Sequence, residues 1–385
     1  MTDDVFDSLQ QSLESGGATA AFDFLVEKFR DQKKYATLFE ARMMKTRHEF
    51  GLPLIQTEPS ADLPAEKRKA YEQATIQAAR EVGSLFLEDG DIPRAWPYFR
   101  AIGEPGPVAE AIERLEAEGE NLDRVIEIAY HERVHPKKGL ELILANHGIC
   151  RAITFFGQYP GPEGREESAA LLVNNLHEEL AAKLKRVIAG QEGQAPETDS
   201  VSELVAGRDW LFEGNSYYID TSHVSSVVQM SPELTNPQTL KRVVELTDYG
   251  KRLSSMFQSQ GHPPFEDVYV DHGIYLRALL GEDVEAGIAR FRDKVASSDP
   301  QEVGYAPAEV LVKLLVRLER YREAVDVSRQ YLRDANPNEL SCPSTVQLCQ
   351  LAGDYQQLGE LAREKGDLLS FTAAALQTLR PAANV

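Results

Sequence analysis

The stretch that decides the fold is residues 80–99, REVGSLFLEDGDIPRAWPYF. In and just beyond it, small residues, aromatic residues and a proline stand at helix–turn–helix spacing: Gly83, Phe86, Gly90, Ala95, Phe99 and Pro107. Small side chains let two helices approach closely, aromatic side chains fill the space between them, and a proline stops the second helix. The stretch therefore predicts a pair of closely packed antiparallel helices.

The same helical rhythm extends along most of the chain. Apolar residues recur at helical spacing in nearly every long segment, and the alternation typical of strands is scarce. Turn-forming residues interrupt the pattern at intervals: Gly90-Asp91, Gly103, Gly161-Pro162, Gly281-Glu282-Asp283, Asn336-Pro337 and Gly353-Asp354. We therefore predict an all-α fold in which helix pairs repeat along the chain.

Two further windows show the pattern of residues 80–107 less completely. One runs from Leu311 to Pro337 with its proline displaced by one position, and it contains Leu315, Tyr321, Ala324 and Tyr331 in the corresponding places. The other, Asp271–Val295, is looser and has Gly287 and Phe291 in the close-packing places. The two clearer windows, about 60 residues in all, resemble the tetratricopeptide repeat. This resemblance implies a tetratricopeptide-like α-solenoid of antiparallel helix pairs with irregular repeats, whose concave face binds a partner.

One polar segment divides the chain almost in half. Residues 189–201 begin AGQEGQAPETDS, which contains Gly and Pro and lacks an apolar anchor until Val201, so we expect an exposed loop or linker. The flanking halves are residues 1–188 and 202–385. They form two domains or one superhelix, and we favour one continuous curved solenoid.

The charge balance restricts the partners. The 385 residues include 41 basic and 61 acidic side chains, which gives a net charge of −20. A surface of this sign repels the phosphates of nucleic acids and the anionic headgroups of membranes, so we expect neither as a partner. A basic or neutral protein or peptide is the expected partner.

Compartment and redox state follow from the start of the chain and from its cysteines. The first residues are acidic and lack the apolar core of a secretory signal, and no run reaches the roughly 18 apolar residues of a membrane span. Three cysteines, Cys150, Cys342 and Cys349, do not form a disulfide framework. We expect a cytoplasmic protein whose thiols are reduced and mostly buried.

The most specific short motif is His131-Glu132-Arg133-Val134-His135, an H-E-x-x-H pattern. It resembles the zincin metallopeptidase motif, which implies zinc binding by His131 and His135 and a base role for Glu132. The sequence differs from that family in two ways. Pro136 biases His135 out of helical geometry, and no edge strand that would align a substrate is evident. The alternative is a helix end, where histidine is favoured beside the last carbonyl groups.

Other histidines extend the set of candidate metal ligands. Asp220 precedes His223 and Asp271 precedes His272 at apparent helix starts, so each aspartate is either an N-cap or a carboxylate that orients a histidine at a metal. His147 and the glycine after it repeat the His-Gly pattern of the His272 segment. This pattern marks either a helix junction or a functional site. By contrast, His48 and His177 each precede a glutamate and are expected to face solvent.

These patterns leave three functions open. The first is a binding module that holds a peptide, a protein or a small ligand on its concave face. The alternative is a metal-dependent hydrolase, with zinc or another divalent cation held on the inner wall by His131, His135, His147, His223 or His272. The third is an oligomerisation unit that uses the apolar face of the C-terminal helices.

Overall fold

The computed structural model describes residues 3–55, 65–116, 121–159, 161–336 and 339–379. In these ranges the protein is all-α and contains no strand, which confirms the all-α part of the predicted fold; the solenoid arrangement stays a prediction. A single antiparallel bridge joins Gln260 to Asp267 in the described residues. No described helix is both long enough and apolar enough to cross a lipid bilayer.

The chain forms two compact units, Met1–Ser168 and Ala169–Val385. Helices of the first unit are α1 (Asp3–Asp31), α2 (Tyr35–Glu49), α3 (Ala65–Glu88), α4 (Ile92–Ala101), α5 (Gly106–Glu113), α6 (Leu122–Ile126), a π-helix (Glu127–His131) and α7 (Pro136–Gln158). The division falls inside α8 (Arg165–Glu192).

The second unit contains the rest of α8 and a longer series of helices. They are α9 (Val201–Val205), α10 (Thr221–Gln229), α11 (Pro237–Arg252), α12 (Val268–Leu279), α13 (Val284–Ser297), α14 (Pro300–Val303), α15 (Ala306–Arg317), α16 (Tyr321–Tyr331), α17 (Thr345–Ala352), α18 (Tyr355–Glu364) and α19 (Leu368–Thr378). Short 3₁₀ turns cover Asp209–Asn215, Ser231–Glu233 and Ser255–Phe257.

Helices α3 and α4 form the pair that residues 80–99 predict. Gly90 supplies the positive φ of 78° for the turn between them, and the Asp91 side chain caps α4 by accepting from the Arg94 backbone N–H at 3.1 Å. Gly83 lies directly against the ring of Phe99, which is fully buried. The absence of a side chain at Gly83 therefore sets how closely the two helices approach.

We expect Gly83→Ala to lower the free energy of unfolding by about 1–3 kcal/mol, the usual cost of overpacking a core. A Cβ atom at this position would lie 2.7 Å from Cε2 of Phe99. Gly157→Ala in α7 is the matched control, since nothing lies within 4 Å of its Cβ position. Alanine there should stabilise the helix by roughly 0.5–1 kcal/mol. Urea unfolding followed by circular dichroism checks both values, and equal effects would contradict the packing argument.

The other two windows also fold as packed helix pairs. In α15 and α16, Leu311, Leu315 and Ala324 are fully buried. In α12 and α13, a Cβ atom at Gly287 would lie 2.8 Å from Cβ of Ala278, and Phe291 is fully buried. These five residues are therefore buried within paired helices, whereas Tyr321 and Tyr331 are only half-buried. Pro337, the proline of the second window, lies outside the described residues.

The segment around the predicted linker is partly helical and is anchored by polar contacts. Helix α8 continues to Glu192, and the Lys185 side chain pairs with Asp199. The carboxylate of Glu245 in α11 accepts from Ser200 Oγ at 2.6 Å and from the Val201 backbone N–H at 2.7 Å. These contacts hold the end of the segment against α11.

His177 lies in the interior, so its predicted exposure to solvent is wrong. Its Nε2 lies 2.7 Å from Glu245 Oε2. Burial opposes ionisation of Glu245, but the hydrogen bonds from His177, Ser200 and Val201 outweigh it and lower the pKa of this carboxyl. The sequence showed only that a glutamate follows His177, whereas helix packing supplies the distant partner.

The cysteines match the prediction in part. All three are free thiols; Cys342 and Cys349 are buried, and Cys150 is exposed. Burial raises the pKa of Cys342 to about 11 and also raises the pKa of Cys349, so both thiols stay protonated at neutral pH.

Helix α19 carries a run of exposed leucines. Leu368, Leu369 and Leu376 are 79%, 83% and 60% exposed, and α19 has no ionisable side chain. This is the apolar face on which the oligomerisation hypothesis rests. That hypothesis stays a prediction.

Candidate functional site

A π-helix interrupts the first unit next to the H-E-x-x-H motif. The backbone N–H of Glu132 donates to the carbonyl of Glu127 at 3.0 Å, a wider turn than that of an α-helix. Gly139 in α7 packs on this turn, because a Cβ atom there would lie 2.8 Å from Cβ of Tyr130. Single π turns are rare and are often found at functional sites.

The helix that carries the start of the H-E-x-x-H motif stops at His131, four residues before His135. Arg133 adopts a positive φ of 60°, and His135 is the N-cap of α7. Nδ1 of His135 accepts from the Lys138 backbone N–H at 3.3 Å, and its Nε2 lies 3.0 Å from a Glu113 oxygen. His131 and His135 therefore lie on different elements and do not share one helix face.

Glu132, the candidate base, is held by two donors from α4. Its Oε2 accepts from Trp96 Nε1 at 2.8 Å and from Arg100 Nη1 at 2.9 Å. These contacts tie the turn after the π-helix to α4. The carboxylate thus has a structural role in the first unit.

The remaining candidates fall in both units. His147 lies in the first unit, and Asp220, His223, Asp271 and His272 lie in the second. Across the described ranges, no group of three or more His, Cys, Asp or Glu side chains is placed to hold a metal ion. The hydrolase alternative stays a prediction.

Asp220 and Asp271 differ in their local roles. Asp220 caps α10, since its Oδ1 accepts from the Ser222 backbone N–H at 2.9 Å. Its N-cap role is confirmed. The same role for Asp271 is wrong, because α12 begins at Val268 and its cap is Asp267.

Asp271 and His272 are buried in the second unit. Asp271 accepts from Arg290 at 3.0 Å and from Lys294 at 2.8 Å. The ring of His272 stacks on Phe265 with centroids 4.1 Å apart. Burial lowers the pKa of His272 to about 4. Both side chains therefore contribute to the core.

His131 and His147 both line one groove, which we call the π-helix groove. A cavity of about 470 Å³ and an adjoining one of about 230 Å³ share the side chains of His131 and Phe155. The larger is also lined by Asp123, Ile126, Glu127, Ile143, His147 and Arg151, and the smaller by Tyr130, Arg133, Gln158 and Tyr159.

Aromatic rings form the walls of the smaller cavity. The ring centroids of Tyr130 and Tyr159 lie 5.1 Å apart, and Phe155 lies 6.0 Å from Tyr130 and 5.3 Å from His131. The guanidinium of Arg133 lies 5.9 Å from the centroid of Tyr159. The groove thus combines flat apolar surfaces with charged groups.

Two tyrosines that line the smaller cavity have hydroxyls without a hydrogen-bond partner among the described residues. The hydroxyl oxygens of Tyr130 and Tyr159 are buried, and no described residue bonds to either. Burial raises the pKa of Tyr130 and of Tyr159, so both hydroxyls remain protonated. The sequence alone does not single out either residue, because neither belongs to a motif and no residue pattern marks the π turn.

A further groove of about 660 Å³ lies among α2, α3 and α4 of the same unit. It is mainly apolar and includes Phe39, Tyr71, Ile76 and Tyr98. It offers fewer polar groups than the π-helix groove does.

The fold and the groove define a helix-pair protein with an aromatic and histidine-containing groove in its first unit. Comparison of the chain with protein-family models, curated proteins and solved structures finds no match.

Proposed function

We propose that this protein is a tetratricopeptide-like binding module that holds an extended peptide in the π-helix groove. One observation carries the proposal: the two cavities share His131 and Phe155, so a single elongated ligand can contact both. A concave site with apolar walls and a few converging polar groups is the usual form of a binding site.

Phe155 is the central contact in this proposal. It lies between the two cavities, and the guanidinium of Arg151 is 5.7 Å from its ring centroid. Buried aromatic side chains near the middle of an interface contribute most of the binding energy.

Charge favours a basic or neutral peptide. Asp123 and Glu127 line the larger cavity, and Asp123 is 92% exposed at its side chain. The net charge of −20 has the same sign, so it attracts cationic partners over longer distances.

Selection from a phage-displayed library of random linear peptides tests the proposal. We expect enriched peptides that are basic or neutral and that bind the full chain with a Kd of about 1–100 µM. Phe155→Ala should weaken this binding at least about tenfold, because it removes the central apolar contact. Fluorescence anisotropy with labelled peptides measures the affinities.

Tyr71→Ala is the matched control, since it removes an aromatic side chain from the other groove of the same unit. It should leave peptide affinity unchanged. A failure to enrich any peptide would contradict the binding function. Peptides that lose affinity with Tyr71→Ala but not with Phe155→Ala would place the site in the α2–α4 groove.

A further inference from the structure

Helix α19 carries a stripe of exposed side chains at regular spacing. The members of this α19 stripe follow one another at intervals of four, three and four residues: Leu368, Thr372, Ala375 and Leu379. Leu379 continues the last turn, since its backbone N–H donates to the Ala375 carbonyl at 3.2 Å. Leu369 and Leu376, seven residues apart, lie beside the stripe and are also exposed. This spacing is that of the contact line between two paired helices.

The opposite face of α19 packs on α18. Ala374 is buried there, and a Cβ atom at Gly359 of α18 would lie 3.7 Å from its Cβ. A groove of about 430 Å³ lies between α18 and the exposed face, lined by Tyr355, Leu358 and Leu376 among others. Leu376 borders both the groove and the α19 stripe, so side chains of a helix on the stripe have an apolar recess beside them.

Charge restricts what can cover the α19 stripe. Helix α19 has no ionisable side chain, although 26% of the residues of the chain are charged and its net charge is −20. Two copies of so acidic a chain repel each other over most of their surface, but a contact between uncharged helices brings no like charges together. A charged partner would form no ion pair with α19. The stripe therefore favours an equally uncharged face, and a second copy supplies one.

The order of residues in the α19 stripe also suits a second copy. The spacing of four, three and four is the same from either end. In an antiparallel pair, Leu368 of each copy therefore lies against Leu379 of the other, and Thr372 lies against Ala375. Large side chains meet large ones and small meet small, as a two-fold interface requires. The antiparallel direction also sets the positive end of each helix dipole beside the negative end of the other.

The apolar area suits a weak dimer. Leu368, Leu369, Leu376 and Leu379 together expose as much surface as about three fully exposed leucines. Burial of one leucine removes on the order of 100 Å² of apolar surface from water, so two copies bury roughly 600 Å² through these side chains. Since apolar atoms make up about 60% of a typical interface, the total is about 1,000 Å², the lower limit for a specific contact.

We infer that α19 is a homodimerisation surface, on which two copies of this chain pair their α19 stripes in antiparallel orientation. The same surface is used by both copies, so the dimer is closed and does not grow into a filament. The inference does not depend on peptide binding, because the π-helix groove lies in the first unit and α19 in the second.

Sedimentation equilibrium of the full chain, loaded at about 1–500 µM, measures the association. We expect a monomer–dimer equilibrium with a Kd of about 10–100 µM, in keeping with the small area. Leu368→Lys and Leu379→Glu should each weaken it at least about tenfold, because each sets a charge against a leucine of the second copy. An equimolar mixture of the two variants should associate more tightly than either alone, since the mixed dimer pairs the two introduced charges.

Ile55→Lys is the matched control. Ile55 is 81% exposed in the first unit, so this variant places the same charge on another exposed aliphatic side chain. It should dimerise as the wild type does. Because all the substituted side chains are exposed, the variants should melt at the wild-type temperature. Leu368→Lys should keep the wild-type peptide affinity, which separates a failure of this inference from a failure of the peptide site.

Three results would overturn the inference. One is a monomer at every concentration, which would leave the α19 stripe to a different partner. Another is undiminished dimerisation of Leu368→Lys, which would place the contact elsewhere on the chain. The third is a mixture of Leu368→Lys and Leu379→Glu that associates no better than its components, which would exclude the antiparallel pairing.

Discussion

Asp271→Ala is expected to destabilise the second unit by about 3–5 kcal/mol, the usual cost of breaking a buried ion pair. The Asp271 side chain is 0% exposed, and its two oxygens accept from Arg290, Lys294 and the Asp267 backbone N–H. The Lys294 side chain is only 12% exposed. Removal of the carboxylate therefore leaves the Asp267 backbone N–H without its acceptor, and Lys294, which also pairs with Glu266, loses its buried counter-ion.

Urea unfolding, followed by fluorescence of Trp210 in a Trp96→Phe background, reports on the second unit. Glu285→Ala is the control, because Glu285 pairs with Arg320 but is 75% exposed at its side chain. Loss of this ion pair should lower the free energy of unfolding by no more than about 1 kcal/mol, as for other surface ion pairs. Equal effects of the two substitutions would show that the buried ion pairs of Asp271 contribute no more to the free energy of unfolding than a surface ion pair does.

Acid is expected to destabilise the second unit through His272, by about 3 kcal/mol between pH 6.5 and pH 4. Burial lowers the pKa of His272 from its ordinary 6.5 to about 4. Its Nδ1 lies 2.7 Å from the Val268 carbonyl oxygen, which can only accept, so Nδ1 carries the proton of the neutral ring.

The sign follows from this lowered pKa. The folded protein binds the proton less readily than the unfolded chain does. The contribution of neutral His272 to the free energy of unfolding is therefore fully present above pH 6.5. It decreases as the pH falls towards 4. Asp271 acts in the opposite direction, since its negative charge raises the pKa of His272, but burial outweighs it.

The difference between wild type and His272→Phe, measured by urea unfolding from pH 7 to pH 4, isolates this effect. Phenylalanine retains an aromatic ring against Phe265 and does not titrate. Over this pH range, the free energy of unfolding of the variant should fall by about 3 kcal/mol less than that of the wild type. Parallel pH profiles for wild type and His272→Phe would refute the assignment.

Local sequence was sufficient for the helix pairs. Gly83 and Phe99 contact each other across one short turn, and the same holds for Gly287 and the α12–α13 pair. Such contacts join residues that are near in sequence, so helical spacing and the turn residues predict them. The N-cap role of Asp220 is local for the same reason.

The candidate site depended on contacts that the sequence does not contain. The sequence places His131 in an H-E-x-x-H motif, but the structure divides this motif because the π turn ends at His131 and Pro136 starts a new helix. Glu132 is held by Trp96 and Arg100 from α4. No spacing rule connects these residues.

The sequence by itself determined the all-α class, the paired helices and the sign of the surface charge. These properties follow from periodicity, turn residues and composition, which are local or additive. Only the tertiary structure decided that His177, Asp271 and His272 are buried and that Tyr130 and Tyr159 line one cavity. Burial and pairing arise from residues distant in the chain, because a side chain's environment is set by the helices packed around it.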